Sequence, residues 1–176
     1  MLKAVAHWIR DYVHMLHGTS RMVRYRKPPH HYLGYTVPER PPVILLPGIF
    51  NTWSFMKALG DPISLRGHPV YIIPKLGFNT KSIPDSAHIV RELILEKDLR
   101  DVVLLAHSKG GLIGRHILAY HNKDYRVRKM IAVGTPFAGS KIVRAMFLKS
   151  LRELDPESQT VREMHAETHA NSKIVS

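Results

Sequence analysis

Ser108 stands in "LLAHSKGG" (104–111), with Ala106 and Gly110 two positions to either side. A serine hydroxyl is a weak nucleophile until a base takes its proton and nearby donors stabilise the charge that develops on the group it attacks. Small flanking residues allow the sharp strand-to-helix turn written G-x-S-x-G, which presents such a serine. Here alanine fills the first position, a change that small-residue sterics tolerate. The plainer alternative is an ordinary polar residue in a turn. If a helix starts after Ser108, the Lys109 N–H is one of its unpaired first-turn donors, at the positive end of the helix dipole. A second donor is expected from the loop "LLPGIFNTW" (45–53), where Ile49 follows Gly48. The Ile49 and Lys109 N–H groups are therefore the candidate oxyanion hole. His107 is next to Ser108, but neighbours at a sharp turn diverge, so it is read as structural. The Lys109 side chain is expected at the rim or in solvent.

A base and an acid must also be found. Asp155, Glu157, Glu163, His165, Glu167 and His169 all follow Ser108. The segment "LDPESQTVREMHAETH" (154–169) reads as a turn and then a helix with Pro156 in its first turn. His165 and His169, four apart, would share one face of it. That spacing is compatible with two metal ligands, but no third has a geometric claim, so a surface pair is the simpler interpretation. The chain has no cysteine, which excludes disulfides and cysteine-based metal sites.

The elements that must position Ser108 are legible as hydrophobic patterns. "PVILLPG" (42–48), "HPVYIIP" (68–74), "DVVLLAH" (101–107) and "VRKMIAVGTP" (127–136) are short apolar runs of the kind that form buried strands, and "SKIVS" (172–176) looks like the start of a fifth. Between them, helical spacing runs through Trp53, Met56, Leu59 and Ile63, over 83–97, and through "GGLIGRHILAYH" (110–121). Ser82 is placed to cap the second of these helices, with Pro84 in its first turn. Residues 140–170 read as mostly helical. Alternating strands and helices with short connections predict an α/β fold: an open, mostly parallel sheet with helices on both faces. Ligand sites in such sheets lie at the carboxyl ends of the strands. Gly48, Ser108 and Gly134 sit at such ends and are expected to converge.

Two organisational units are expected. Residues 1–41 hold an amphipathic helix (2–16; Leu2, Val5, Ala6, Ile9, Val13, Leu16) and a Pro-rich connector, and residues 42–176 hold the α/β core. The chain has 176 residues, with 26 Lys and Arg against 14 Asp and Glu, a net charge of +12. The basic residues are densest in "RMVRYRK" (21–27) and otherwise scattered. No nucleic-acid motif accompanies them, so no nucleic-acid partner is expected. The helix 2–16 has two readings: packing on the body of the protein, or peripheral contact with an anionic membrane, aided by residues 21–27. No run approaches the ~20 apolar residues of a membrane span. Lys3, His7, Arg10 and Asp11 interrupt the N-terminus where a signal peptide would be apolar. The expectation is a cytoplasmic chain, with or without membrane association.

In order and spacing, "VILLPGIFNTW", "VVLLAHSKGGLIGR" and "VGTPFAGS" resemble the α/β-hydrolase superfamily, most closely its lipase and esterase branch. The resemblance covers roughly residues 42–176. Pro47 replaces the histidine many lipases carry before the glycine, and Phe137 replaces the histidine of the G-T-P-H-x-G-S segment. The resemblance implies hydrolysis of carboxylic esters, often lipids, through an acyl-enzyme on Ser108, with no cofactor. By the family's order the acid and then the histidine follow later strands. It thus implies that both lie beyond Ser176, that these residues are the N-terminal part of a longer hydrolase, and that this chain alone is weakly active or inactive.

"KIVRAMFLKSL" (141–151) is apolar on one side, in a position where lipases often carry elements covering the site. It either favours hydrophobic acyl esters or simply packs on the sheet. Two alternatives to a hydrolase stand: an acyltransferase or thioesterase on the same fold, and a non-catalytic membrane-associated protein.

Overall fold

The computed structural model describes residues 25, 27–140, 143 and 149–176. The amphipathic helix over 2–16 and most of the 141–151 segment lie outside the described residues. So does the basic run 21–27, except for Tyr25 and Lys27.

Five strands form one sheet: β1 (Val43–Leu46), β2 (Val70–Tyr71), β3 (Val102–His107), β4 (Val127–Val133) and β5 (Ile174–Val175). Their order is β2-β1-β3-β4-β5, and every pairing is parallel. The helices are α1 (His31–Gly34), α2 (Lys57–Ser64), α3 (Ile83–Glu96), α4 (Lys109–Tyr120), α5 (Lys149–Arg152) and α6 (Gln159–Ala166). Short 3-10 turns at Trp53–Met56, Pro74–Leu76 and His169–Lys173 complete the path.

β1 explains why its sequence is continuously apolar. All four residues are buried, Ile44 and Leu46 into one core and Val43 and Leu45 into the other. The larger core holds α3 and α4, with Val90, Ile94, Leu112, Ile113 and Ile117 packed against Leu104 and Met130. The smaller core lies on the opposite face, where Tyr32 of α1, Trp53 and Met56 cover Val43, Leu45 and Leu105. Tyr32 meets the Trp53 ring edge-on at 5.8 Å. Helices thus flank both faces, as the alternation predicts. β4 is one-sided by contrast: Val127, Met130 and Ala132 are buried, while Ile131 is 39% and Val133 42% exposed.

α3 begins as its sequence predicts, with the Ser82 hydroxyl accepting from the Asp85 N–H at 3.1 Å. The C-terminal part departs from expectation. α6 starts only at Gln159, where Ser158 caps it by accepting from the Val161 N–H, and Pro156 lies in the preceding turn rather than in the helix. The helix stops at Ala166, and His169 opens a separate 3-10 turn. His165 and His169 therefore share no continuous helical face. Among the described residues no group of three metal-ligating side chains is present.

Candidate active site

The end of β3 shapes Ser108. Its backbone has φ 52° and ψ −122°, a region that non-glycine residues rarely occupy and that stores strain. The tertiary structure holds it there. The Ser108 N–H donates to the Val133 carbonyl at the end of β4 at 3.0 Å, and the Ser108 carbonyl accepts from the Gly111 N–H at 3.0 Å, opening α4. The serine is half-buried and makes no capping bond with its own helix. Among the described residues, no histidine or carboxylate side chain hydrogen-bonds to its hydroxyl.

The loop after β1 lies directly on this turn. A Cβ added at Gly48 would come within 3.1 Å of Ser108 Cβ and 3.1 Å of His107 Nδ1, so any larger residue would have to push these neighbours back. The loop turns through Phe50, at φ 59°, and is closed by the Asn51 N–H donating to the Gly48 carbonyl at 3.2 Å. Gly110 is constrained far more tightly: its added Cβ would sit 2.1 Å from the Leu46 carbonyl oxygen. The first turn of α4 thus rests on the end of β1. Ile49 follows Gly48 and Lys109 follows Ser108, and among the turns, loops and caps of the described residues neither N–H donates to a backbone carbonyl. Gly134 is adjacent through Val133. The three strand ends converge, as the parallel topology requires.

His107 packs against the Phe55 ring at 5.1 Å between centroids. Its Nδ1 is buried without a partner, and burial lowers its pKa, so the ring is neutral near pH 7. A Cβ built on Gly48 would lie 3.1 Å from both its Nδ1 and Ser108 Cβ.

Lys109 contradicts the sequence expectation. Its side chain is not at a rim or in solvent but fully buried. The ammonium donates to the Asn79 carbonyl at 3.1 Å and to the Lys81 carbonyl. Burial lowers its pKa, partly opposed by Glu153, whose carboxylate accepts the Ile83 N–H at 2.7 Å. Asn79, also fully buried and at φ 54°, donates its side-chain amide to the Pro47 carbonyl at 2.6 Å. Sequence inspection missed Asn79 entirely. Its only local signal is an Asn following Gly77 and Phe78 in a turn.

A cleft of about 650 Å³ opens beside the loop, at the carboxyl ends of β1 and β2. Pro47, Trp53, Ile72, Ile73 and Phe78 supply much of its wall, while Ser108 does not line it.

A sequence model of the alpha/beta hydrolase fold matches residues 41–171. No curated protein matches in sequence. Among solved structures, the chain is similar to the Bacillus licheniformis lipase BlEst2 in its mature form (TM-score 0.59, 18% identity), covering 78% of this chain and 62% of the lipase. The propeptide form of the same lipase gives a TM-score of 0.61 at 18% identity, over 80% of this chain and 35% of that one. The chain therefore spans less than two thirds of either. Among the described residues, no helix is long and apolar enough to cross a membrane.

Proposed function

The chain belongs to the α/β-hydrolase fold family, and we propose that it carries the nucleophile and oxyanion hole of a serine hydrolase acting on carboxylic esters with hydrophobic acyl groups. The observation that carries the proposal is the strained backbone of Ser108, held between the Val133 carbonyl and the start of α4. A non-glycine residue persists in such a conformation only where its surroundings over-determine it.

In this mechanism Ser108 Oγ attacks the ester carbonyl carbon and its proton passes to a base. The carbonyl oxygen becomes an oxyanion, which the Ile49 and Lys109 N–H groups receive; losing one such donor typically costs about 3 kcal/mol in the transition state. Collapse of the tetrahedral intermediate breaks the bond to the alcohol, which leaves with the proton. Water then attacks the acyl-enzyme and releases the acid. The acyl chain is assigned to the apolar cleft beside Trp53 and Phe78, which favours acyl lipids over small polar esters.

The test is covalent capture. The full-length protein is treated with an alkyl fluorophosphonate and its intact mass recorded, with Ser108→Ala as control. One adduct that disappears in the variant is expected. Ester turnover undiminished in Ser108→Ala overturns the assignment.

A further inference from the structure

The two candidate donors of the oxyanion hole, the Ile49 and Lys109 N–H groups, belong to segments far apart in the chain, yet an oxyanion must meet both at once. Gly48 precedes the first of them. A residue without a Cβ rotates freely, so the peptide planes on either side of it must be held from outside. Two hydrogen bonds hold them. The Asn51 N–H donates to the Gly48 carbonyl at 3.2 Å, which restrains the plane that also carries the Ile49 N–H. The Asn79 side-chain amide donates to the Pro47 carbonyl at 2.6 Å, which restrains the plane before it.

Asn79 belongs to neither segment. It lies in the turn between β2 and α3, where it is fully buried at φ 54° and its own N–H donates to the Leu76 carbonyl at 2.8 Å. Its carbonyl accepts from the Lys109 ammonium at 3.1 Å, and that ammonium also donates to the Lys81 carbonyl. Apolar packing would bring the same segments together without fixing their orientation, whereas hydrogen bonds are directional. Burying a lysine and an asparagine is costly unless both are satisfied, as they are here. We propose that Asn79 is a positioning residue, which sets the separation and orientation of the Ile49 and Lys109 N–H groups through Pro47 on one side and the Lys109 ammonium on the other. It acts through these partners and, being buried, does not touch substrate. The proposal rests on the oxyanion hole assigned above.

The test is steady-state hydrolysis of p-nitrophenyl octanoate by the full-length protein and its variants, each held well below its melting temperature. Asn79→Gly removes the amide but keeps the positive φ and the carbonyl that Lys109 meets. Lys109→Met removes the other link and leaves both candidate N–H donors in place. If one does not fold, the other carries the test. A misplacement of about 1 Å costs about a hundredfold in rate, so kcat should fall about ten- to a hundredfold in each, with KM within about twofold of the parent. The links act in series, so the double variant should lose no more than the worse single. Affinity for octyl trifluoromethyl ketone should fall in parallel with kcat. Ser108 Oγ adds to this ketone reversibly, its proton passing to the base and an oxyanion forming on the ketone oxygen. Asn122→Ala breaks a buried clamp remote from the serine and should lose stability but keep the parent's kcat. Parent kcat in Asn79→Gly or Lys109→Met, an equal fall in Asn122→Ala, or losses that multiply in the double variant overturn the proposal while the role of Ser108 stands. Turnover undiminished in Ser108→Ala overturns both.

Discussion

The Lys109 ammonium donates to the Asn79 carbonyl at 3.1 Å, and Asn79 in turn donates to the Pro47 carbonyl at 2.6 Å. The residue after Ser108 is thereby tied, through one asparagine, to the residue before Gly48. The two elements that flank the serine are fixed relative to each other by this buried chain of donors. Ser86 adds a longer contact to the Asn79 amide oxygen at 3.5 Å.

Lys109→Met keeps most of the side-chain volume and removes the donors, leaving two carbonyls short of a partner. A loss of about 2–3 kcal/mol in urea unfolding is expected, and more for Lys109→Ala, which also leaves a void. A surface lysine would give changes within about 0.5 kcal/mol, and that result would contradict the buried network.

Gly110→Ala forces a methyl group against the Leu46 carbonyl, where the clash is with backbone and cannot be relieved by a rotamer change. Overpacking of this kind costs about 3 kcal/mol. Gly34→Ala, whose added Cβ meets nothing within 4 Å, is the matched control and should be near neutral. Equal unfolding midpoints for the two variants would refute the close packing of α4 on β1.

Asn122 is buried and clamps the turn from α4 into β4. Its amide donates to the Val127 carbonyl at 2.9 Å and its oxygen accepts the Val127 N–H at 2.8 Å. Asn122→Ala strands both backbone groups, and a destabilisation of about 2–4 kcal/mol is expected by chemical denaturation. Amide exchange at Val127 should accelerate in any variant that still folds.

His116 lies against the Tyr120 and His121 rings, at 4.8 and 5.2 Å, with Nδ1 buried and unpaired. Burial, with His121 adding to it and Glu163 opposing, pushes its pKa down to about 4 from 6.5. The folded state holds it neutral while the unfolded chain protonates it. Its effect is therefore nil above pH 6.5, and stability falls as pH drops from 6.5 to about 4. The loss is on the order of 3 kcal/mol. His116→Phe should flatten that part of the profile measured between pH 7 and pH 4. Burial also lowers the pKa of His107 and His121, so some acid sensitivity remains. Identical slopes in parent and variant would show that His116 is not held neutral.

Much of the fold is legible before any coordinates. The continuous apolar run at 42–48 became β1, buried on both faces, because a central parallel strand has no polar side. Ser82 and Pro84 marked the start of α3 because capping and proline geometry are local. The helix over 159–166 was harder. Pro156 is compatible with a first turn, but the Asp155 carbonyl instead accepts the Ser158 N–H at 2.9 Å, and the helix waits for its cap.

The sequence by itself determined the alternation of strands and helices, the placement of Ser108 at a strand end, and the small residues that let the elbow form. These follow from hydrophobic period and backbone sterics, which act within a few residues. Only the tertiary structure decided where the Lys109 side chain goes, that Asn79 ties the two loops, and that Arg115 is buried against the Phe137 ring. Each of those outcomes depends on groups about 20 to 60 residues away. A lysine or arginine is buried only when distant carbonyls or an aromatic wall meet it, and no local pattern announces that encounter.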